Sequence, residues 1–215
     1  MPVPLKIDFV SDISCPWCVI GLRALEQAIA RLDGQVAVDL HFQPFELNPQ
    51  MPPGGQDIDE HLQQKYGSTP EQAALVRERI RAAGAALGFT FSLQTRSRIY
   101  NTFDAHRLLH WAALEGRQLA LKQALFQAYF TDGEDPSNHQ VLIRAAARVG
   151  LDATRAARIL DSNEFAAVVR KEQAFYRDQG IHAVPAVIIN NQHLIQGGQP
   201  VEVFEQALRQ IAGLA

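Results

Sequence analysis

The chain has 215 residues, 47% of them hydrophobic and 20% charged, and these proportions exclude a wholly disordered chain. Lys and Arg number 20 and Asp and Glu number 23, so the net charge is −3, which excludes the basic surface of a general nucleic-acid binder. The longest apolar run, Ala183 to Ile189, is far shorter than the roughly 20 residues of a membrane span. We therefore expect neither a nucleic-acid partner nor a membrane partner.

The N-terminal segment predicts a cytoplasmic protein. It begins Met1-Pro2 and lacks the long apolar core and the small-residue cleavage site of a secretory signal. Cys15 and Cys18 are the only cysteines, too few for the disulfide scaffold of a small secreted protein. A bond between two residues this close would hardly constrain the unfolded chain, so their pairing needs another explanation.

The first part of the chain predicts a strand, a helix and a second strand. Residues 5–10 alternate between apolar and polar side chains, as a half-buried strand does. From Cys15 onward, apolar residues recur at steps of three and four up to Leu32, which indicates an amphipathic helix. Residues 36–43 alternate again. Such a β-α-β unit implies two parallel strands joined by a right-handed crossover.

The middle of the chain predicts helices, and the end returns to strands. A connection rich in Pro and Gly leads to a region rich in Ala, Leu, Gln, Arg and Glu, where Thr69-Pro70 marks a helix start. After Gly180 we expect a hairpin turning at Asn190-Asn191 and a final helix. The predicted helices cover about 101–115, 117–131, 138–149, 152–161, 163–179 and 200–212, and the late strands cover 183–189 and 192–196. The fold class is therefore α/β, with β-α-β and β-β-α ends around a large all-helical insertion.

Cys15-Pro16-Trp17-Cys18 lies where the first strand passes into the first helix. The unpaired N–H groups and positive dipole end of a helix stabilise an anion, so we expect Cys15 to have a lowered thiol pKa and to be the nucleophile. Cys18 lies one turn further in, within reach of a mixed disulfide at Cys15. This spacing supports a reversible dithiol/disulfide cycle.

These residues resemble a known family. The Cys15–Cys18 motif after a first strand, the helical insertion and the segment Gly180-Ile-His-Ala-Val-Pro185 together resemble the DsbA-like branch of the thioredoxin superfamily, and most closely its FrnE-type members. Residues 45–49 and 101–111 are also similar to segments of that group. The resemblance implies a thioredoxin-fold domain at 1–55 and 180–215, interrupted by a helical domain at 56–179. It also implies thiol:disulfide oxidoreductase activity on protein or small-molecule thiols and disulfides.

The same resemblance assigns roles around the cysteines. It implies that Pro185 is cis and faces them, and that the backbone of Val184 pairs with a substrate peptide. Pro16 and Trp17 would shape the substrate contact, with His182 as a further candidate on that face. No metal or organic cofactor is implied beyond the redox-active disulfide. Glutathione is a candidate co-substrate, and glutathione or a thioredoxin system is a candidate redox partner.

The sequence also departs from its relatives. Periplasmic DsbA proteins usually carry His where this chain has Trp17, so we expect a less oxidising couple here. Thioredoxin has a buried acid where this chain has Phe9. Asp8 and Asp12 are near, although alternation along the strand points Asp8 toward the opposite face. The proton acceptor for Cys18 is therefore left open.

Three alternatives remain. Isomerases of 2-hydroxychromene-2-carboxylate and kappa-class glutathione transferases share this branch, but they usually carry an acid in the region of residues 197–200, here Gly-Gly-Gln-Pro. A non-catalytic module that binds a partner through the helical domain is the second. The third is a zinc site completed by His106 and His110; a partly buried pair on an amphipathic helix is the simpler interpretation of these histidines.

Overall fold

A computed structural model describes residues 1–92 and 97–214. Its strands are β1 (Val3–Ser11), β2 (Val36–Pro44), β3 (Gln56–Asp57), β4 (Arg98–Ile99), β5 (Ala186–Ile189) and β6 (His193–Gln196). Its helices are α1 (Pro16–Arg31), α2 (Ile58–Tyr66), α3 (Pro70–Ala86), α4 (Phe103–Leu114), α5 (Gln118–Phe126), α6 (His139–Arg148), α7 (Ala153–Leu160), α8 (Ala166–Asp178) and α9 (Val201–Ile211). None of the helices among the described residues has the length and apolar character that a membrane span requires.

The central sheet has the strand order β2-β1-β5-β6. Strands β1 and β2 are parallel and joined by α1, while β5 pairs antiparallel with both β1 and β6. The hairpin between β5 and β6 turns at Asn190 and Asn191, with φ values of 51° and 56°, in the left-handed region that asparagine tolerates better than most residues. The predicted β-α-β and β-β-α ends and the predicted turn are confirmed.

The segment between β2 and β5 is mainly helical, as predicted, and its local details follow from particular residues. Thr69 and Gln72 form a reciprocal capping box at the start of α3. The helix predicted over 117–131 consists of α5 followed by a π-helical turn, Gln127–Thr131. Strands β3 and β4, two residues each, form a small antiparallel sheet that the sequence pattern did not predict.

One continuous hydrophobic core joins the sheet to the helices. Phe9 on β1, Leu22 on α1, Leu108 on α4 and Phe126 on α5 are all buried in it. Burial of this apolar surface holds the helical segment against the sheet and against α1. The domain boundaries at 55/56 and 179/180 stay a prediction, and residues 93–96 and 215 within them lie outside the described residues.

Candidate active site

Cys15 is the N-cap residue of α1, and Pro16 occupies the first helical position, where the helix needs no N–H from it. The N–H of Cys15 donates to the carbonyl of Asp12 (3.3 Å), which anchors the turn that follows β1. No acidic residue lies in the first turn of α1. The positive end of the helix dipole acts on the sulfur of Cys15, and no carboxylate within the first turn of α1 opposes it.

Cys18 lies one turn into the helix and is fully buried. Its N–H donates to the carbonyl of Cys15 (3.1 Å), and the two cysteines are thiols with no disulfide between them. Burial, followed by a hydrogen bond and charge interaction with Cys15, raises the pKa of Cys18 well above its ordinary value. Cys18 is consequently a protonated thiol when Cys15 carries negative charge.

The loop before β5 faces Cys15 from the other side. The Sγ atom of Cys15 lies 3.6 Å from the carbonyl oxygen of Val184, and the Val184–Pro185 peptide bond is cis. The carbonyl of Pro185 accepts a hydrogen bond from the N–H of Gly197 (2.8 Å), which ties this loop to the turn after β6. The structure therefore places two chain-distant segments, residues 15–18 and 184–185, side by side.

Helix α1 approaches the loop closely at Gly21. A Cβ atom at this position would lie 3.0 Å from Cγ of Pro185 and 3.4 Å from the Cα of Gly198. Gly21 is thus the residue that lets α1, and Cys15 with it, pack against Pro185.

Replacing Gly21 by valine is expected to push α1 away from Pro185 and to lower the free energy of unfolding by about 1–3 kcal/mol, the usual cost of overpacking. The control is Ala30→Val, at an exposed position of the same helix, which we expect to cost about 0.5 kcal/mol through helix propensity. Urea unfolding of both variants measures the difference. Equal stability of the two would contradict the close approach.

The remaining predicted site residues, Pro16, Trp17 and His182, differ in how far they are buried near Cys15 and Pro185. Pro16 and Trp17 are half-buried at the start of α1, and Trp17 packs against the hydrophobic core. A Cβ on Gly198 would lie 3.0 Å from the backbone oxygen of Trp17, so the turn after β6 abuts this residue. His182 is exposed in the loop between α8 and β5.

Asp12, just after β1, is a fully buried carboxylate that gathers donors from three segments. Its Oδ2 accepts from the N–H of Leu47 (2.7 Å) and the hydroxyl of Ser14 (2.9 Å), while its Oδ1 accepts from the hydroxyl of Thr102 (2.7 Å). Nε2 of His106 stands 3.5 Å from Oδ1 without a formed hydrogen bond, so its attraction is electrostatic. Burial by itself raises the pKa of Asp12, but the attraction of His106 and the hydrogen bonds from Leu47 and Thr102 outweigh it and lower the pKa from 3.8 to about 2.

The other acidic candidate, Asp8, is on the opposite face of β1, as strand alternation predicts. It is held by Nζ of Lys6 (2.7 Å) and Nε2 of Gln43 (2.6 Å). Phe9 instead points into the core, where its ring meets that of Phe42 edge to face, with centroids 5.7 Å apart. Asp8 therefore does not stand in for the buried acid that thioredoxin has at the position of Phe9.

The two histidines of α4 are buried to different extents. His106 is 2% exposed and faces Asp12, whereas His110 is half-buried beside Glu172, with 3.4 Å between Nδ1 and Oε1. Across residues 1–92 and 97–214, no three His, Cys, Asp or Glu side chains are grouped as a metal ion would require. The structure therefore does not bring the cysteines and histidines together as a zinc site.

The sequence analysis did not identify two residues whose charges or pKa values are coupled to the cysteines. Lys122 on α5 is fully buried, and its charge acts on both Cys18 and Cys15. The signal for it was present: Lys122 lies three residues before Leu125 and four before Phe126, on the apolar stripe of α5 where a charged side chain is unusual. Tyr66, at the end of α2, is the second; partial removal from water and then the charge of Cys15 raise its pKa.

Comparison with known proteins identifies the family of this chain. The family model described as a DSBA-like thioredoxin domain matches residues 6–209, which is nearly the whole chain. The chain belongs to this family. Its crystal-structure relatives include the probable DsbA oxidoreductase SCO1869 from Streptomyces coelicolor, at 33% identity and a TM-score of 0.91 over 97% of this chain and 90% of that one. The DsbA-like resemblance and the α/β fold with a helical insertion are thereby confirmed.

More distant structures share the fold of this DsbA-like chain. A 2-hydroxychromene-2-carboxylate isomerase is 14% identical, with a TM-score of 0.70 over 98% of this chain and 99% of that one. The cytosolic disulfide reductase DsbM from Pseudomonas aeruginosa, in a structure with glutathione, is 17% identical, with a TM-score of 0.68 over 97% of this chain and 100% of that one. At these identities the likeness concerns the fold alone.

Proposed function

We propose that this DsbA-like protein is a thiol:disulfide oxidoreductase that cycles Cys15 and Cys18 between the dithiol and the disulfide. One observation carries the proposal: Cys15 caps the N-terminus of α1, with its sulfur 3.6 Å from the Val184 carbonyl, and the buried Cys18 follows one turn later. The helix end favours a thiolate at Cys15, and the second thiol is positioned to complete an exchange.

The reduced protein would act in two displacement steps. The Cys15 thiolate attacks one sulfur of a substrate disulfide, a mixed disulfide forms at Cys15, and the first substrate thiolate leaves. Cys18 then loses its proton and attacks the Cys15 sulfur, which forms the Cys15–Cys18 disulfide and releases the second substrate thiolate. An external thiol, such as glutathione or a dithiol protein of the thioredoxin system, returns the protein to the dithiol.

We propose protein or small-molecule thiols and disulfides as substrates. Pro16, Trp17, Val184 and Pro185 are the proposed contact residues, since they surround Cys15, and the exposed His182 is proposed at the edge of this face. The backbone of Val184 would pair with the substrate peptide as an added extended strand. We also propose a cytoplasmic location and FrnE-type chemistry; the cytosolic disulfide reductase DsbM, which shares the fold, supports the proposed location.

A cytoplasmic setting favours the reductive direction. Cytosolic glutathione, at roughly −220 to −320 mV, keeps most exposed dithiols reduced. Net oxidation of substrates would require an oxidising compartment or a dedicated oxidant.

The variant Cys18→Ser tests this proposal against glutathione-dependent isomerisation or transfer. With glutathione disulfide, Cys18→Ser is expected to accumulate a mixed disulfide with glutathione at Cys15, because no second thiol expels it. Intact-protein mass spectrometry measures the adduct, and Cys15→Ser, which should stay unmodified, is the control. An isomerase or transferase needs no resolving thiol, so full turnover of a small aromatic substrate by Cys18→Ser would contradict the proposal.

A further inference from the structure

The turn between β1 and α1 is built around the carboxylate of Asp12. Ser14, which is buried, donates from its hydroxyl to Oδ2 of Asp12 (2.9 Å) and from its N–H to Oδ1 (3.3 Å). The carbonyl of Asp12 accepts from the N–H of Cys15 (3.3 Å), and the carbonyl of Cys15 accepts from the N–H of Cys18 (3.1 Å). The conformation of the turn that carries Cys15 therefore depends on where the Asp12 carboxylate is held.

Two segments distant in the chain hold this carboxylate in place. The N–H of Leu47, after β2, donates to Oδ2 (2.7 Å), and the hydroxyl of Thr102, just before α4, donates to Oδ1 (2.7 Å). Asp12 and Thr102 are 1% and 2% exposed, so water does not replace either bond. Buried hydrogen bonds to a charged group are among the stronger ones in proteins. The helical segment thus fixes the turn before Cys15 through the side chain of Thr102.

The hydroxyl of Thr102 is not used where a local rule would place it. Thr102 is the N-cap residue of α4, a position at which threonine usually accepts a hydrogen bond from the first turn of its own helix. Its side chain makes no such bond and donates to Asp12 instead, while the side chain of Asn101 accepts from the N–H of Phe103 (2.9 Å). Departures from local rules are concentrated at functional sites. The contact with Asp12 therefore calls for a role in the activity of the molecule.

The two displacement steps differ in how much they depend on a fixed Cys15. Cys18 is fully buried within α1 and cannot follow a moving partner, whereas Cys15 lies at the cap of the helix and is held by the preceding turn. Attack by Cys18 on a mixed disulfide at Cys15 therefore requires that turn to stay in place. A small soluble disulfide, by contrast, orients itself when Cys15 attacks it. A misplacement of about 1 Å between reacting groups can cost about 100-fold in rate.

We propose that Thr102 is a positioning residue for the dithiol: through Asp12 it holds the turn that carries Cys15, so that the Cys15 sulfur stays in line for attack by Cys18. This inference rests on the proposed oxidoreductase function and concerns its second step. In that step Cys18 gives up its proton to water and its thiolate forms the bond to the Cys15 sulfur. The bond between Cys15 and the substrate sulfur breaks, and the substrate leaves as a thiolate.

The test separates the two steps in the full-length reduced protein. After rapid mixing with 5,5′-dithiobis(2-nitrobenzoate), attack by Cys15 releases a first thionitrobenzoate, and resolution by Cys18 releases a second at a rate independent of reagent concentration. Thr102→Val, which removes one donor to Asp12, is expected to slow the second release about tenfold and to change the first by less than about twofold. Thr102→Ser keeps the hydroxyl and should restore the second rate. The control Thr131→Val removes a hydroxyl that donates to the carbonyl of Thr90 (2.6 Å), outside this cluster, and should leave both rates unchanged.

The outcomes distinguish this proposal from the proposed function. If Thr102→Val keeps the second rate, or slows both releases equally, the role of Thr102 is overturned while the dithiol cycle stands. If Cys18→Ser also shows the concentration-independent second release, the dithiol cycle itself fails. Should Thr102→Val not fold, Ser14→Ala removes a hydroxyl donor from the other carboxylate oxygen of Asp12 and decides in its place. The same selective slowing is expected, and two unchanged rates would overturn the proposal.

Discussion

Replacing Cys15 by serine is expected to abolish disulfide reduction, with a loss of about a thousandfold or more in rate. A serine hydroxyl stays protonated at neutral pH and forms no disulfide, so the first displacement cannot occur. Reduction of insulin by dithiothreitol, catalysed by the purified protein, measures the effect. A thermal unfolding midpoint near that of the wild type shows that the loss is chemical, since Cys15 is a small side chain at the helix cap.

Cys18→Ser is the matched control for this experiment. It is expected to lose steady-state turnover but to keep the first attack on a disulfide, because Cys15 and the end of α1 are unchanged. The two variants therefore differ in a single-turnover assay and agree in a multiple-turnover assay. Retention of activity by Cys15→Ser would favour a module that binds a partner without redox chemistry.

Replacing Asp12 by asparagine is expected to lower the free energy of unfolding by about 3 kcal/mol, as breaking a buried charged network does. Both carboxylate oxygens of Asp12 accept hydrogen bonds: one from Leu47 and Ser14, the other from Thr102. The NH2 group of asparagine would replace one of these oxygens and place a donor against a donor. Urea unfolding at neutral pH measures the loss. Asp39→Asn, at an exposed carboxylate beside His41, is the control and should change stability by less than about 0.5 kcal/mol.

The pH dependence of this difference has a defined sign. The pKa of Asp12 is lowered on folding from 3.8 to about 2, so the ionised carboxylate stabilises the folded state at pH values above 3.8. That contribution, about 2 kcal/mol, is lost as the pH falls through the folded value. The stability gap between wild type and Asp12→Asn should therefore shrink between pH 5 and pH 2. A gap independent of pH over this interval would show that the network does not depend on the charge.

The two cysteines illustrate how far local pattern reaches. Proline after Cys15 and the periodic apolar residues beyond it predict the start of α1, because helix caps and first turns depend on residues adjacent in the chain. The turn at Asn190-Asn191 and the capping box at Thr69 were predictable for the same reason. One helix boundary was predicted wrongly. The helix predicted from residue 163 begins at Ala166, because Phe165 at its N-cap takes a left-handed backbone conformation.

The sequence by itself determined the β-α-β and β-β-α ends around a helical segment, the position of the dithiol at a helix N-terminus, and the likeness to DsbA-like proteins. The tertiary structure alone decided which groups surround the sulfurs. Thr102 reaches Asp12 across 90 residues of chain, and the buried Lys122 comes from a helix that no short-range rule connects with Cys18. Such contacts depend on how the helices pack on the sheet around one core, and packing is set by the shapes of many side chains together rather than by the spacing of any few.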